Sequence, residues 1–190
     1  MELQLPNITT ERLLLRLATK EDIPAILKFF SENKTYLTPF SPVWLDNFFT
    51  EEYWQNSIDN NYLEFTNGIS LKLFIFSKTH QPNIIGYINF ANFVRGAAQY
   101  CNVGYGLAEG EQGKGYMTEG LQAGIRYVFQ NLKMHRVMAN YMPHNQRSGN
   151  VLRRLGFVVE GYARDYLLIN GKWQDHILTS LINSNWRANP

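Results

Sequence analysis

The stretch Gln112-Gly113-Lys114-Gly115-Tyr116-Met117 sets two glycines around a lysine directly before a helical pattern. Glycines there leave backbone N–H groups bare, and the N–H groups at a helix start carry partial positive charge that suits a phosphate. Two better-known phosphate loops do not fit. A Walker loop needs Ser or Thr after Gly-Lys and a glycine five positions earlier, whereas Gly115 and Ala108 stand there. A dinucleotide fingerprint needs a third glycine where Thr118 stands. Taken alone, the loop reads equally as a tight structural turn. The run Val103-Gly104-Tyr105-Gly106 just upstream favours a ligand, because it puts two glycines on one face of a strand. Glycine inside a strand costs stability and marks close approach by another backbone or a ligand. A linear, amide-bearing ligand could lie along that strand with its pyrophosphate on the loop. Downstream, Pro143 ends a strand, and Asn145 and Ser148 open the next helix. They read either as helix caps or as polar groups beside the ligand's reactive end.

Other chemistry-bearing residues say less. Cys101 is the single cysteine, so no internal disulfide can form, and beside the ligand strand it reads as a small buried residue or as a covalent carrier of a transferred group. His80, His135, His144 and His176 show no ligand spacing, so no metal is expected.

The elements that must position these groups follow from periodicity. Residues 10–17 read as a first strand, Thr19 with Asp22 as a cap, and Ile23, Ile26, Leu27 and Phe30 as a helix reaching about Asn33. An aromatic, proline-punctuated stretch ends in a second helix from near Thr50. Residues 70–77, 84–93 and 100–108 read as three successive strands, with a turn over 77–83 and a loop over 94–98. Met117, Leu121, Ile125, Val128 and Leu132 share one helix face after the loop. Residues 135–142 form a strand, and a helix runs from Asn145 to Gly156. Strands over 161–169 and 172–182 flank Asn170-Gly171, a strong hairpin signal.

Composition sets the outer limits. At 190 residues, 45% hydrophobic and 14% aromatic, the chain can bury a core without disulfides and is not disordered. A net charge of +2 does not indicate strong electrostatic binding to nucleic acid, so no direct nucleic-acid partner is expected, although a local basic patch is compatible with that total. The amino terminus lacks a signal-peptide pattern and no apolar run reaches membrane length, which points to a cytoplasmic protein without a membrane partner.

The order of strand, glycine loop and helix, then a strand ending in "NxxS", then "RLGF" and "EG", resembles the GNAT superfamily of acetyl-CoA-dependent N-acetyltransferases. Within it, "TERLLLR", "NFVRG", "QGKG", "IRY", "MHRVMANYMPHNQRSGNVLRRLGF", "EGYARDYLLINGKWQDHILT" and the closing "W" are similar to the RimJ-type ribosomal-protein alanine N-acetyltransferases. One departure is Gly110, where the superfamily pattern has Gln or Arg three residues before the first loop glycine. The resemblance implies a GNAT-like single domain over residues 1–190 of the α/β (α+β) class, a mixed, mostly antiparallel sheet of about seven strands flanked by about four helices. It implies acetyl-CoA as co-substrate, held by Val103, Gly104, Tyr105, Gly106, Gln112, Gly113, Lys114, Gly115, Tyr116, Met117, Asn145 and Ser148. It also implies the amino terminus of an alanine-initiated small-subunit ribosomal protein as acceptor and partner. Ser148 is the candidate proton donor to the leaving thiolate, and Asp165 a candidate base, with Glu160, His144 or a water as alternatives. An acetyltransferase for a small amine, or a non-catalytic acetyl-CoA binder acting on a ribosomal particle, are the competing functions.

The residues themselves favour an α-amine over a lysine acceptor. An α-amino group titrates near 8 and a lysine near 10.4, so the lysine needs a far stronger base. No carboxylate occurs in "CNVGYGL", the strand that would carry one. The segment 36–65, with Trp44, Phe48, Phe49, Tyr53 and Trp54, reads either as packing or as a wall of the acceptor groove. Glu51, Glu52, Asp59 and Glu64 there could face a basic partner or solvent.

Overall fold

The computed structural model describes residues 5–79 and 84–187; the turn expected over 77–83 is only partly inside that range, and His80 lies outside it. The chain enters as a short hairpin, β1 (Asn7–Thr9) and β2 (Leu13–Arg16). Thr10 closes it, donating its N–H to the Leu13 carbonyl at 2.9 Å and accepting the Leu13 N–H on Oγ at 2.9 Å. The sequence suggested one strand from residue 10. Three residues of β1 are too few to show a period of two, and this hairpin makes the strand count eight rather than seven.

A 3-10 turn over Lys20–Asp22 leads into α1 (Ile23–Glu32), with the Thr19 N–H donated to the Asp22 carboxylate at 2.7 Å. A four-residue helix, α2 (Lys34–Leu37), and a 3-10 turn over Thr38–Phe40 follow. With α2 the helices number five among the described residues; the notched sequence after Asn33 hides so short a piece. Thr50 caps α3 (Glu51–Thr66), its Oγ accepting the Tyr53 N–H at 3.2 Å.

β3 (Leu71–Ser77), β4 (Ile84–Val94) and β5 (Tyr100–Leu107) then form an antiparallel meander. α4 (Tyr116–Gln130) crosses back, and β6 (Arg136–Tyr141) enters the same sheet parallel to β5. After α5 (Gln146–Arg154), β7 (Val158–Ile169) and β8 (Lys172–Ile182) close the chain as a hairpin turning at Asn170 and Gly171, both at positive φ. The sheet order is β1-β2-β3-β4-β5-β6-β8-β7.

Two apolar layers sandwich the sheet. On one face Leu121, Ile125 and Val128 of α4 pack on Leu13, Ile88, Phe90 and Val103. On the other, α1 and α3 bury Phe29, Phe30, Trp54 and Ile58 against Phe74 and Phe76. Trp44, Phe48, Phe49 and Tyr53 belong to this second layer; Trp44 stacks on Phe48 at 5.5 Å and Trp54 on Phe30 at 5.4 Å. Most of the aromatic segment is therefore packing. Each such ring pair adds about 0.5–1.5 kcal/mol beyond area burial.

One irregularity makes the site. β5 and β6 pair only at Tyr100–Arg136, Cys101–Val137 and Asn102–Met138. Past those residues neither strand bonds the other, while β4 continues to hold β5 to Leu107 and β8 holds β6 to Tyr141. The sheet opens as a wedge, with α4 starting on one side and α5 on the other.

Candidate active site

A groove of about 970 Å³ occupies that wedge. Tyr105, Gly106 and Leu107 of β5 form its floor, and Gln112, Gly113 and Gly115 with Tyr116, Met117 and Thr118 form one wall. Asn145, Arg147, Ser148, Asn150, Val151 and Arg154 of α5 form the opposite wall, and Tyr36, Leu37 and Phe40 the far end.

The glycine loop adopts the backbone its sequence demands. Gly113 and Gly115 have φ of +74° and +83°, a region where an L side chain is strained. Nothing lies within 4 Å of the position a Cβ would take on Gly113. Gly115 is the N-cap of α4, and no side chain caps that helix start. The first N–H groups of α4, with their share of the helix dipole, are left for an anion beside open space. Arg147 and Arg154 add positive charge across the groove.

The loop is braced from β1 and β2. Arg12 donates Nη1 to the Lys114 carbonyl at 2.9 Å and Nε to Glu119 Oε2 at 2.7 Å, and its guanidinium lies 4.5 Å from the Tyr116 ring centre. Glu119, in the first turn of α4, also accepts the Arg12 N–H at 3.0 Å and the Thr10 hydroxyl at 2.6 Å. Burial alone would raise the Glu119 pKa, but the Thr10 hydroxyl and the Arg12 contacts together hold it below the ordinary glutamate value. The "TER" of the opening motif thus holds the glycine loop from 102 residues away. Arg12→Ala should weaken acetyl-CoA binding about tenfold, the worth of one or two charge-assisted hydrogen bonds, while turnover at saturation stays within about twofold. Because the folded pKa of Glu119 is depressed, the brace is complete at neutral pH and is lost as pH falls through that lowered value. Calorimetric titration of the variant checks the claim; an unchanged affinity would assign Arg12 to folding alone.

At the other wall, Asn145 caps α5 by accepting the Ser148 backbone N–H at 3.2 Å. The Ser148 hydroxyl is not the cap. It pairs with the Tyr105 hydroxyl at 2.8 Å, across the wedge between β5 and α5. Burial pushes the Tyr105 phenol up to about 12, so it stays protonated across the neutral range. Two protonated hydroxyls therefore sit in contact at the apex of the groove.

Of the residues singled out in the sequence, Tyr105, Gly106, Gln112, Gly113, Gly115, Tyr116, Met117, Asn145 and Ser148 meet in this groove. Val103 turns its side chain into the core, and Gly104 is exposed on β5 with open space above it. Lys114 does not line the groove: its ammonium pairs with Glu111 at 3.0 Å and its carbonyl accepts Arg12 Nη1 at 2.9 Å. Asp165 lies elsewhere: it is exposed at φ +46° in a β7 irregularity, its N–H donated to Asp175 at 2.9 Å. Glu160 pairs with Arg136 and accepts the Ser180 hydroxyl at 2.8 Å, rather than anchoring the α5 arginines. His144 stands against Phe40, ring centres 6.4 Å apart, and does not line the groove. Cys101 is fully buried, with its thiol pushed up to about 12 by burial, so it is core rather than an acyl carrier. Asp59 pairs with Lys20 at 2.9 Å and Glu64 with Lys72 at 2.8 Å, leaving Glu51 and Glu52 exposed. Among the described residues no group of three or more His, Cys, Asp or Glu could hold a metal ion, and no helix is long and apolar enough to cross a membrane.

Sequence reasoning missed Arg147 and the Tyr105–Ser148 contact, the latter a contact across 43 residues. It left segment 36–65 open between packing and groove wall, and Tyr36 and Phe40 are the aromatics of that segment that reach the groove.

A splayed parallel pair, an uncapped helix behind a glycine loop and a hydroxyl pair at the apex thus meet in one groove. The chain belongs to the acetyltransferase (GNAT) domain family, whose model matches residues 12–158. It is 43% identical to the [Ribosomal protein uS5]-alanine N-acetyltransferase of Escherichia coli K12, over 95% of this chain and 92% of that one. The crystal structure of a ribosomal-protein-S5-alanine acetyltransferase from Vibrio fischeri superposes with a TM-score of 0.91 at 35% identity, covering 96% of this chain and all of that one (100%). Mycobacterium smegmatis RimJ, solved in complex with CoA-disulfide, superposes with a TM-score of 0.83 at 26% identity, covering 90% and 81%. Acetyl-CoA is the acetyl donor of this family, and the groove fits it: the uncapped α4 start and open Gly113 face suit its pyrophosphate.

Proposed function

We propose that this chain, as one cytoplasmic catalytic domain over residues 1–190, acetylates the amino-terminal α-amine of an alanine-initiated small-subunit ribosomal protein. Its 43% identity to the E. coli uS5-alanine enzyme over 95% of the chain supports the acceptor class. The observation that carries the choice of an α-amine is the groove's own chemistry. Glu119 is the sole carboxylate among its described lining residues, and Arg12 and Thr10 hold it.

Acetyl-CoA supplies an acetyl group already activated as a thioester. The chain's residues position it and manage protons. N–H groups of Tyr116, Met117 and Thr118 would hold the pyrophosphate, and the bare β5 edge from Val103 to Gly106 would bond the pantetheine amides. Ser148 holds a proton at its Oγ for the departing sulfur, and Tyr105 at 2.8 Å steadies that hydroxyl. About a tenth of an α-amine is neutral at pH 7, so a water suffices as base. Tyr36 and Phe40 wall the end of the groove, where they would shape the site around a small first residue.

A thioester-cleavage assay separates this reading from its rivals. Alanine-initiated peptides should release free coenzyme, while small amines at the same concentration leave the thioester intact. Release with small amines alone would assign a small-amine acetyltransferase, and release with neither would assign a non-catalytic binder.

A further inference from the structure

A second cavity, of about 950 Å³, lies beside the C-terminal half of α4, bounded by the β4–β5 connection and the tail after β8. Its charge is one-sided. Arg95, Arg126, Lys133 and Arg187 line it, from four separate segments, and no Asp or Glu does among the described residues. All four are exposed, and none has a carboxylate within ion-pair distance among the described residues. Arg95 donates to the Leu132 carbonyl at 2.8 Å and Arg187 to the Trp186 carbonyl at 2.8 Å, which anchors the guanidiniums without neutralising them. Elsewhere Arg12, Arg16, Lys20, Lys28, Lys72, Lys114 and Arg136 each face an acid. Among the described residues Lys34, Lys78, Arg147, Arg153, Arg154, Arg164 and Lys172 do not, so what marks this cavity is four such cations around one concavity with no acid in its described lining. The net charge of +2 hides this concentration.

Like charges around one concavity repel, and a polyanion relieves them. We propose that this cavity docks the phosphate backbone of an RNA strand. A single small anion is a poor match, because exposed cations spread around about 950 Å³ cannot converge on one phosphate. A chain of phosphates engages all four and releases counterions at each. The same wall carries Trp186, half-buried and fixed by its indole N–H on the Lys133 carbonyl at 2.9 Å, and the half-buried Phe129, so part of two rings lies beside the cations where an unpaired base could make contact. The choice of RNA over DNA rests on the acceptor reading above, since a ribosomal protein is met beside RNA; the cavity's charge does not depend on that reading.

The probe is a labelled RNA hairpin of about 20 nucleotides with an unpaired loop, followed by fluorescence anisotropy at about 50 and about 200 mM salt. Four phosphate contacts predict a log–log salt slope near −3, about a 50-fold loss between the two conditions. The double variant Arg126→Glu/Lys133→Glu should weaken binding at least tenfold and about halve the slope. Neither residue lines the acetyl-CoA groove, so acetyl transfer to a short peptide should stay at the parent rate. Arg164→Glu/Lys172→Glu, on the exposed β7–β8 hairpin, makes the same change in net charge and should leave RNA affinity unchanged. No RNA binding at low salt, or equal weakening by both double variants, overturns the proposal. Because Gln122 lines both cavities, displacement of RNA by acetyl-CoA would also overturn it and give the cavity to the coenzyme's tail. Equal affinity for a DNA hairpin would overturn the choice of RNA. RNA binding without acetylation of any alanine-initiated peptide would sink the acceptor reading alone.

Discussion

Gly113→Val should abolish the stabilisation that acetyl-CoA confers on this protein. At a hundredfold excess over its dissociation constant, a ligand stabilises the native state by about 2.7 kcal/mol. For a chain of this size that is a Tm rise of roughly 5–10 °C. Gly113 sits at φ +74° with open space where a Cβ would stand. Valine there either strains the loop, at about 1–2 kcal/mol or more, or moves it, and its methyl groups fill the space before the α4 N–H groups. Misplacement of the loop by about an ångström would also cost on the order of a hundredfold in kcat/KM. Gly68→Val separates binding from folding. Gly68 has φ +68° and equally open surroundings, but lies in the turn after α3, away from the groove. It should lower the unliganded Tm by a similar amount and keep the full acetyl-CoA shift. A Gly113→Val protein whose Tm still rises with acetyl-CoA would remove the loop from the binding site.

Ser148→Ala should lower kcat about a hundredfold, the lower range for a lost general acid, while the acetyl-CoA dissociation constant changes less than about twofold. The geometry makes this variant informative. Asn145 caps the helix through the Ser148 backbone N–H, which alanine keeps, so the hydroxyl can be removed without uncapping α5. Stability should therefore hold. Tyr105→Phe should cost less, about tenfold, because it frees the serine hydroxyl without deleting it. If the two hydroxyls act as one unit, the double variant should be little slower than Ser148→Ala. Undiminished turnover in Ser148→Ala would leave the serine a packing contact for Tyr105.

The parts of this molecule that sequence could show are those decided within a few residues. The glycine loop declares itself because the φ of residues 113 and 115 lies in a region that strongly favours glycine. The Asn145 cap and the Asn170-Gly171 turn are equally local. The parts that sequence hid are set by pairing across the sheet. Arg12 meets Lys114 and Glu119 only because β2 lies near the start of α4, and nothing in "TERLLLR" names that partner. Asp165 stands in sequence beside Glu160 and His144 as a candidate base, yet a local irregularity in β7 exposes it and turns its N–H to Asp175. The aromatic segment divides by tertiary contact alone: Phe48 and Trp54 enter the core, while Tyr36 and Phe40 face the groove. Local chemistry thus makes the glycine loop and the α5 cap legible, and long-range packing decides what lines the far end of the groove.

The central claim is that this groove acetylates an α-amine and has no base strong enough for a lysine. It is tested most directly by incubating the protein and acetyl-CoA with a peptide that begins with a free alanine and carries internal lysines, then locating the acetyl group by tandem mass spectrometry. The roughly 2.4-unit gap between the two amines, with Glu119 held by Arg12, predicts modification at the alanine nitrogen alone. Acetyl found on the lysines, with the alanine left free, would contradict it.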